Sequence, residues 1–200
     1  MPELPEVETL CRDLVAGGVV GSRIMDTEVL NAGSIQNLAP EEFRRRIVNK
    51  RITSLSRRGK YMRFDLDSGD TLLVHLRMTG GFRFAGSVGE ADAHDRVILH
   101  LEDRRLIFHD TRKFGRLLLT REPDKVLSRL GLEPLDASLS AGVLYCRLSG
   151  RKRAVKALLL DQSFIAGLGN IYVDESLFAA SIHPQRRSNS ISAEEARNLL

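Results

Sequence analysis

The chain has 200 residues, 42% apolar and 28% charged, with 30 Lys and Arg against 26 Asp and Glu and a pI of 9.3. These values exclude a disordered or low-complexity chain and fit a soluble globular protein of one large domain or two small ones. Two distant cysteines, Cys11 and Cys146, with no CxxC pair, exclude a disulfide framework and a zinc site built on cysteine pairs.

The opening "MPELPEVETL" carries acids and no apolar core, so it does not read as a signal peptide. Pro5 suits the first turn of a helix. Val7, Leu10, Cys11, Leu14 and Val15 then recur at helical spacing until Gly17-Gly18 stops the run. From Ser22 to about Thr120 the period changes to two. "YMRFDL", the turn "SGD" and "TLLVHL" form a hairpin signal; "VILHL" turns at "EDRR" and returns as "LIFH"; "GRLLLT" reads as one more strand. Short antiparallel strands joined by polar turns predict a sandwich. After "REPDK" the strand signal ends. "DKVLSRLGL", "SAGVLYCRLSG", "RKRAVKALLLDQ", "IYVDESLFAA" and "SAEEARNLL" read as helices, the last with a capping box at Ser192 and Glu195. The fold class expected is therefore α+β: an N-terminal antiparallel β-sandwich with a leading helix, then an all-helical domain. The expected boundaries are 1–121 for the first domain, 122–134 for a linker and 135–200 for the second. No run reaches the length of a membrane span, and a reducing, cytoplasmic setting is expected.

Three constellations carry chemistry. Loss of Met1 would expose Pro2 as a secondary amine able to attack an electrophilic carbon and form an iminium. The helix dipole lowers the pKa of such an amine and the Glu3 carboxylate raises it. Taken alone, a Pro-Glu opening is an ordinary helix start. Positive charge clusters at Arg44-Arg45-Arg46, Lys50-Arg51, Arg57-Arg58-Gly59-Lys60, Arg112-Lys113 and Arg151-Lys152-Arg153 with Lys156, and suggests a surface that tracks phosphates. Lys60 follows a glycine turn at a strand start, where its ammonium can be fixed. In "HLRMTGG" and "HDTRKFGR", Met78 and Phe114 sit in polar, glycine-bearing loops beside His75 and Arg112. Apolar wedges of this kind enter a base stack, and a neighbouring arginine can bond the orphaned base, as base flipping requires. Finally, Gly167 and Gly169 precede a helix beginning near Asn170, whose N-terminus suits a phosphate.

On these motifs the chain resembles the formamidopyrimidine-DNA glycosylase family. "PELPEVET", "RRGKY", "HLRMTG", "DTRKFG" and "GLGNIYVDE" follow in family order and spacing over essentially all 200 residues. The resemblance implies a helix–two-turns–helix motif around 153–181 and a base-excision repair activity on oxidised purines (8-oxoguanine and formamidopyrimidines) in duplex DNA. It implies that Pro2 attacks C1′, that Glu3 assists ring opening and proton transfer, and that Lys60 contacts a phosphate and supports catalysis. His75 and Asn170 would bind backbone phosphate. Met78, Arg112 and Phe114 would fill the void, with Arg112 facing the estranged base, and Glu175 would lie near the lesion pocket. Strand nicking would follow by β,δ-elimination.

The family pattern is departed from at Arg77, where relatives often have Gly, at Thr79 (often Ser), and at Thr111 and Lys113 (commonly Pro and Arg). Relatives also continue into a four-cysteine zinc finger. This chain stops at Leu200, so it is expected to be a fragment or a degenerate relative with weakened DNA affinity, little turnover and no metal or other cofactor of its own. A monomer in the cytoplasm, associated with the nucleoid, is expected, with duplex DNA bearing oxidised bases or abasic sites as partner and no membrane. A non-catalytic or impaired DNA-binding relative, and an oxidised-pyrimidine glycosylase of the endonuclease VIII type, remain as alternatives.

Overall fold

The period-two stretch forms two four-stranded antiparallel sheets in the computed structural model, which describes residues 1–200. The strands are β1 (Asp26–Val29), β2 (Ile52–Arg58), β3 (Tyr61–Leu66), β4 (Thr71–His75), β5 (Gly80–Gly86), β6 (Asp95–His100), β7 (Arg104–Asp110) and β8 (Arg116–Thr120). They pair in the orders β1-β6-β7-β5 and β2-β3-β4-β8. Alternation decides which side chains go inward: Met62 and Phe64, Leu72 and Val74, and Leu117 and Leu119 of one sheet meet Phe82, Val97, Leu99, Leu106 and Phe108 of the other in a single core. Phe82 of the edge strand β5 links the two sheets. Its ring sits 5.6 Å from Phe64 of the opposite sheet and 5.2 Å from Phe108 of its own.

The leading helix α1 (Leu4–Ala16) starts as its residues dictate. Proline sits in the first turn, Glu3 and Glu6 form a reciprocal capping box, and Leu4, Val7, Cys11 and Leu14 are buried on one face. Gly18, at φ +80°, turns the chain after it. The expectation of uninterrupted strands from Ser22 to Thr120 is corrected by a second helix, α2 (Pro40–Ile47). It has only two buried apolar residues, Phe43 and Ile47, one turn apart, so its helical period is too short to stand out from the basic run around it.

The chain divides into two compact units, Met1–Asp124 and Lys125–Leu200. The second is helical: α3 (Asp124–Leu127, reaching back across the division), α4 (Ala141–Ser149), α5 (Val155–Leu159), α6 (Asn170–Ala179) and α7 (Ala193–Leu199). Leu144, Leu148, Val155, Leu158, Leu159, Val173, Leu177 and Ala196 form its core. The Ser192–Glu195 capping box is present at the start of α7. Two helices are shorter than the sequence predicts. The chain before α5 is held extended, because Ala154 bridges Arg187 and the Val155 N–H donates to Arg186 O at 2.8 Å. α3 ends early because the Gly131 N–H is committed to Gln162 O at 2.8 Å and Leu132 bridges Ile165. A Cβ on Gly131 would come within 2.4 Å of the Phe164 backbone, so this crossing needs glycine.

Phe82→Ala is expected to cost about 3–5 kcal/mol, since it opens a cavity between the sheets. Urea unfolding of the β-sandwich measures it; a loss below about 1 kcal/mol would show that the phenyl cluster does not hold the two sheets together.

Candidate active site

The N-terminus is fixed through α1. Arg57 of β2, its side chain 10% exposed, donates to Glu8 Oε2 at 2.9 Å and, from Nη1, to Gly59 O at 3.0 Å. The Arg57 bond holds the Glu8 carboxyl below its ordinary pKa. One interaction thus ties the helix to β2 and shapes the turn into β3, where Gly59 takes φ +58°. Lys60 follows that glycine and is only 6% exposed. Burial lowers its pKa, while the charges of Glu3 and Glu6 pull it back up. Glu3 is itself buried at 2% exposure, and its N–H donates to Glu6 Oε2 at 2.8 Å. Pro2 is half-buried beside it. The structure therefore brings Pro2, Glu3 and Lys60 to one place.

His75 closes β4 and belongs to the same cluster, since the Lys60 charge acts on it. Its ring meets Tyr61 edge-on at 4.9 Å, directly across the β3–β4 ladder. The Arg77 N–H donates to Nδ1 at 3.0 Å, which leaves the ring proton on Nε2. Burial, with the Arg77 and Lys60 charges, lowers the pKa to about 4. A neutral imidazole with its proton on Nε2 can donate to an anion without carrying charge.

Met78 and Phe114 are 43% and 44% exposed on the loops that follow β4 and β7. The Arg112 guanidinium carbon stands 4.8 Å from the Phe114 ring centroid, a cation–π contact that holds both side chains. Arg77 (φ +57°) and Lys113 (φ +60°) lie in the left-handed region, one in each loop. The conformation at Arg77 is one that glycine adopts more easily. Asp110, at 0% exposure, was not singled out from sequence. Its carboxylate accepts from the Thr79 hydroxyl and from the amides of Gly115 (2.7 Å) and Arg112 (3.2 Å). An Asp opening a turn that closes on Gly five residues later was the available signal.

In the second unit, Asn170 is the exposed first residue of α6, capped by Gly169. Gly167 takes φ +94° before it. Gln162, also unremarked in the sequence, braces this entry: its amide donates to Leu168 O at 2.8 Å and accepts the Gly167 N–H at 3.0 Å. Glu175 lies exposed on the same helix. The basic runs are less uniform than the sequence suggests. Arg44 pairs with Asp26, Arg46 with Asp70, Arg153 with Asp161 and Lys156 with Asp174. No three His, Cys, Asp or Glu side chains converge as metal ligands.

The family model described as the formamidopyrimidine-DNA glycosylase N-terminal domain matches residues 1–117, and that of its H2TH domain matches 130–200. The formamidopyrimidine-DNA glycosylase of Protochlamydia amoebophila is 42% identical over 200 residues, covering 100% of this chain and 72% of the relative. That of Desulfitobacterium hafniense is 42% identical, covering 100% of this chain and 74% of the relative. The Lactococcus lactis enzyme, solved non-covalently bound to DNA containing an abasic site, superposes with a TM-score of 0.91 at 35% identity, covering 98% of this chain and 76% of that one. A mutant of it bound to DNA containing Fapy-dG gives 0.91 at 34% identity, covering 99% and 74%.

The His75 environment has a pH consequence. Because its pKa falls from 6.5 to about 4, the unfolded chain binds a proton that the folded chain refuses, and stability drops as pH falls through that interval. Between pH 7.5 and 5 this amounts to about 2 kcal/mol. His75→Gln should remove that part of the slope, read as the difference between parent and variant urea unfolding at the two pH values. Equal slopes would mean that the imidazole is not held neutral.

Proposed function

Because the chain belongs to the formamidopyrimidine-DNA glycosylase family, we propose that it excises oxidised purines from duplex DNA and nicks the abasic strand through its own N-terminal proline. The coarser activity, a base-excision DNA glycosylase and lyase working on damaged duplex DNA, follows from the family. The observation that best supports the finer reading is the buried Lys60 held in the field of Glu3, at the start of the helix that carries Pro2.

With Met1 removed, the unprotonated nitrogen of Pro2 attacks C1′ of the extruded nucleotide; the C1′–N bond to the base breaks, and the base leaves with the bonding pair and takes up the proton that the Pro2 nitrogen releases. Glu3 passes a proton to the ring oxygen as the sugar opens, leaving an iminium between Pro2 and C1′. Lys60 holds the phosphate beside the lesion. The iminium acidifies the C2′ proton; its loss expels the 3′ phosphate, and a further elimination expels the 5′ phosphate. The enzyme is regained on hydrolysis of the iminium. His75 donates Nε2–H to a backbone phosphate, and Asn170 at the start of α6 does the same from the second unit. Met78, Phe114 and Arg112 occupy the space left by the base, with Arg112 facing the unpaired partner, and Glu175 lies by the flipped base.

Borohydride should trap a covalent adduct with oxidised-guanine duplex, and peptide mapping should place it on the nitrogen of Pro2. Glu3→Gln is expected to lower single-turnover excision by about 100-fold or more. A folded, Met1-processed sample that binds the duplex and yields no adduct leaves only a non-catalytic DNA-binding role. A clear preference for oxidised-pyrimidine duplexes would redirect the substrate assignment.

A further inference from the structure

Asp110 is a buried residue whose carboxylate oxygens bear no cation; the Arg96 guanidinium bonds its backbone carbonyl instead, at 2.7 Å. All its carboxylate partners are neutral: the Thr79 hydroxyl and the amides of Arg112, Phe114 and Gly115. Burial alone would raise its pKa, but these bonds outweigh that and hold it below the ordinary carboxylate value. A turn alone does not need such a group, because burying an unpaired charge is costly and a neutral side chain could cap the same amides. What an anion adds is strength: hydrogen bonds to a charged acceptor are about twice as strong as neutral ones.

The geometry links two loops. Thr79 stands next to Met78, and Asp110 lies 31 residues on, at the end of β7. The Thr79 hydroxyl donates to Asp110 Oδ1 and accepts the Arg112 N–H at 3.2 Å, so a single oxygen touches both loops. Each loop also ends on a glycine with no space for a side chain. A Cβ on Gly80 would lie 2.5 Å from Leu76 O, and one on Gly115 would lie 2.4 Å from Phe108 Cζ. Between these fixed ends sit the left-handed Arg77 and Lys113, conformations that persist only where the surroundings over-determine them.

We propose that Asp110, acting through Thr79, is a positioning residue that sets how the Met78 and Arg112–Phe114 loops enter DNA together, and thereby the enzyme's selectivity for the base opposite the lesion. This rests on the glycosylase reading above for the duplex substrate, and adds to it a residue pair that does not touch the DNA. The pair converts two separate exposed wedges into one rigid element. Arg112 then meets the orphaned base at a fixed depth, set by the position of Met78 on the other loop.

The test uses Thr79→Val, which keeps shape and removes both hydroxyl bonds, Thr79→Ser, which keeps the bonds, and Asp110→Asn. Fluorescence of 2-aminopurine placed opposite a tetrahydrofuran abasic analogue reads loop insertion in a duplex that cannot react. Single-turnover excision opposite each of the four bases reads selectivity. Thr79→Val and Asp110→Asn should reduce the fluorescence change and flatten the spread of rates among opposite bases by about fivefold, the value of about one hydrogen bond. Affinity for undamaged duplex should stay within about twofold, because phosphate contacts carry it. Thr79→Ser should restore both readouts. The proposal is overturned if Thr79→Val matches the parent in both, or if undamaged-duplex affinity falls in parallel, or if the parent inserts nothing. A parent that inserts normally yet forms no borohydride adduct sinks the glycosylase reading and leaves the coupling of the loops standing on the fluorescence result.

Discussion

The arrangement depends on one buried ammonium. Moving a charge out of water costs several kcal/mol even after relaxation, and Lys60 is 6% exposed. The charges of Glu3 and Glu6 offset that cost, the first at the N-cap of α1 and the second in its first turn. So the turn between β2 and β3 and the beginning of the first helix are obliged to meet. Pro2 is one residue from Glu3, and consecutive Cα atoms are about 3.8 Å apart. Placing the ammonium therefore places the chain terminus, and the Arg57–Glu8 pair removes the remaining freedom of the helix to slide.

A different constraint governs the two exposed apolar side chains. Met78 and Phe114 stand in water, away from the packed core. They are therefore fixed by their backbones. Glycines close the loop ends, a buried carboxylate gathers the amides, and the guanidinium of Arg112 lies against the Phe114 ring. Rigidity held in this way is present before DNA arrives, so less ordering remains to be done on binding. The same logic applies at the start of α6, where Gln162 braces a glycine-rich entry and leaves Asn170 outward.

The sandwich was legible because its signal is local: Met62, Phe64 and Leu66 alternate in β3, Val97 and Leu99 in β6, and polar turns set off the continuous apolar runs of β4 and β7. The leading helix was legible from Pro5, the spacing of Val7, Cys11 and Leu14, and Gly17. What could not be read was set by long-range contact. α2 has two apolar anchors in eight residues, and its identity depends on what Phe43 and Ile47 meet. The shortening of α5 depends on a bridge between Ala154 and Arg187, more than thirty residues away. At the site, the residue types that react were visible, whereas the groups that hold them were not. Asp110 and Gln162 bond mostly to backbone, and backbone partners leave little mark on a sequence beyond the spacing of Asp110 and Gly115.

Charge was the least transparent feature. A net charge of +4 and five basic runs suggest a broad phosphate-tracking face, yet several of those cations have carboxylate partners. The pairs are not equivalent. Arg46 meets Asp70, which is 3% exposed in the β3–β4 turn and also faces Arg121, so releasing Arg46 to a phosphate would strip a buried carboxylate of a partner. Arg44–Asp26 and Lys156–Asp174 involve half-exposed groups, and such pairs are worth only about 0–1 kcal/mol. A DNA phosphate can take those cations at little cost, since binding also releases counterions. The basic runs thus sort by the burial of the acid they face: Arg46 is structural, whereas Arg44 and Lys156 are available for exchange.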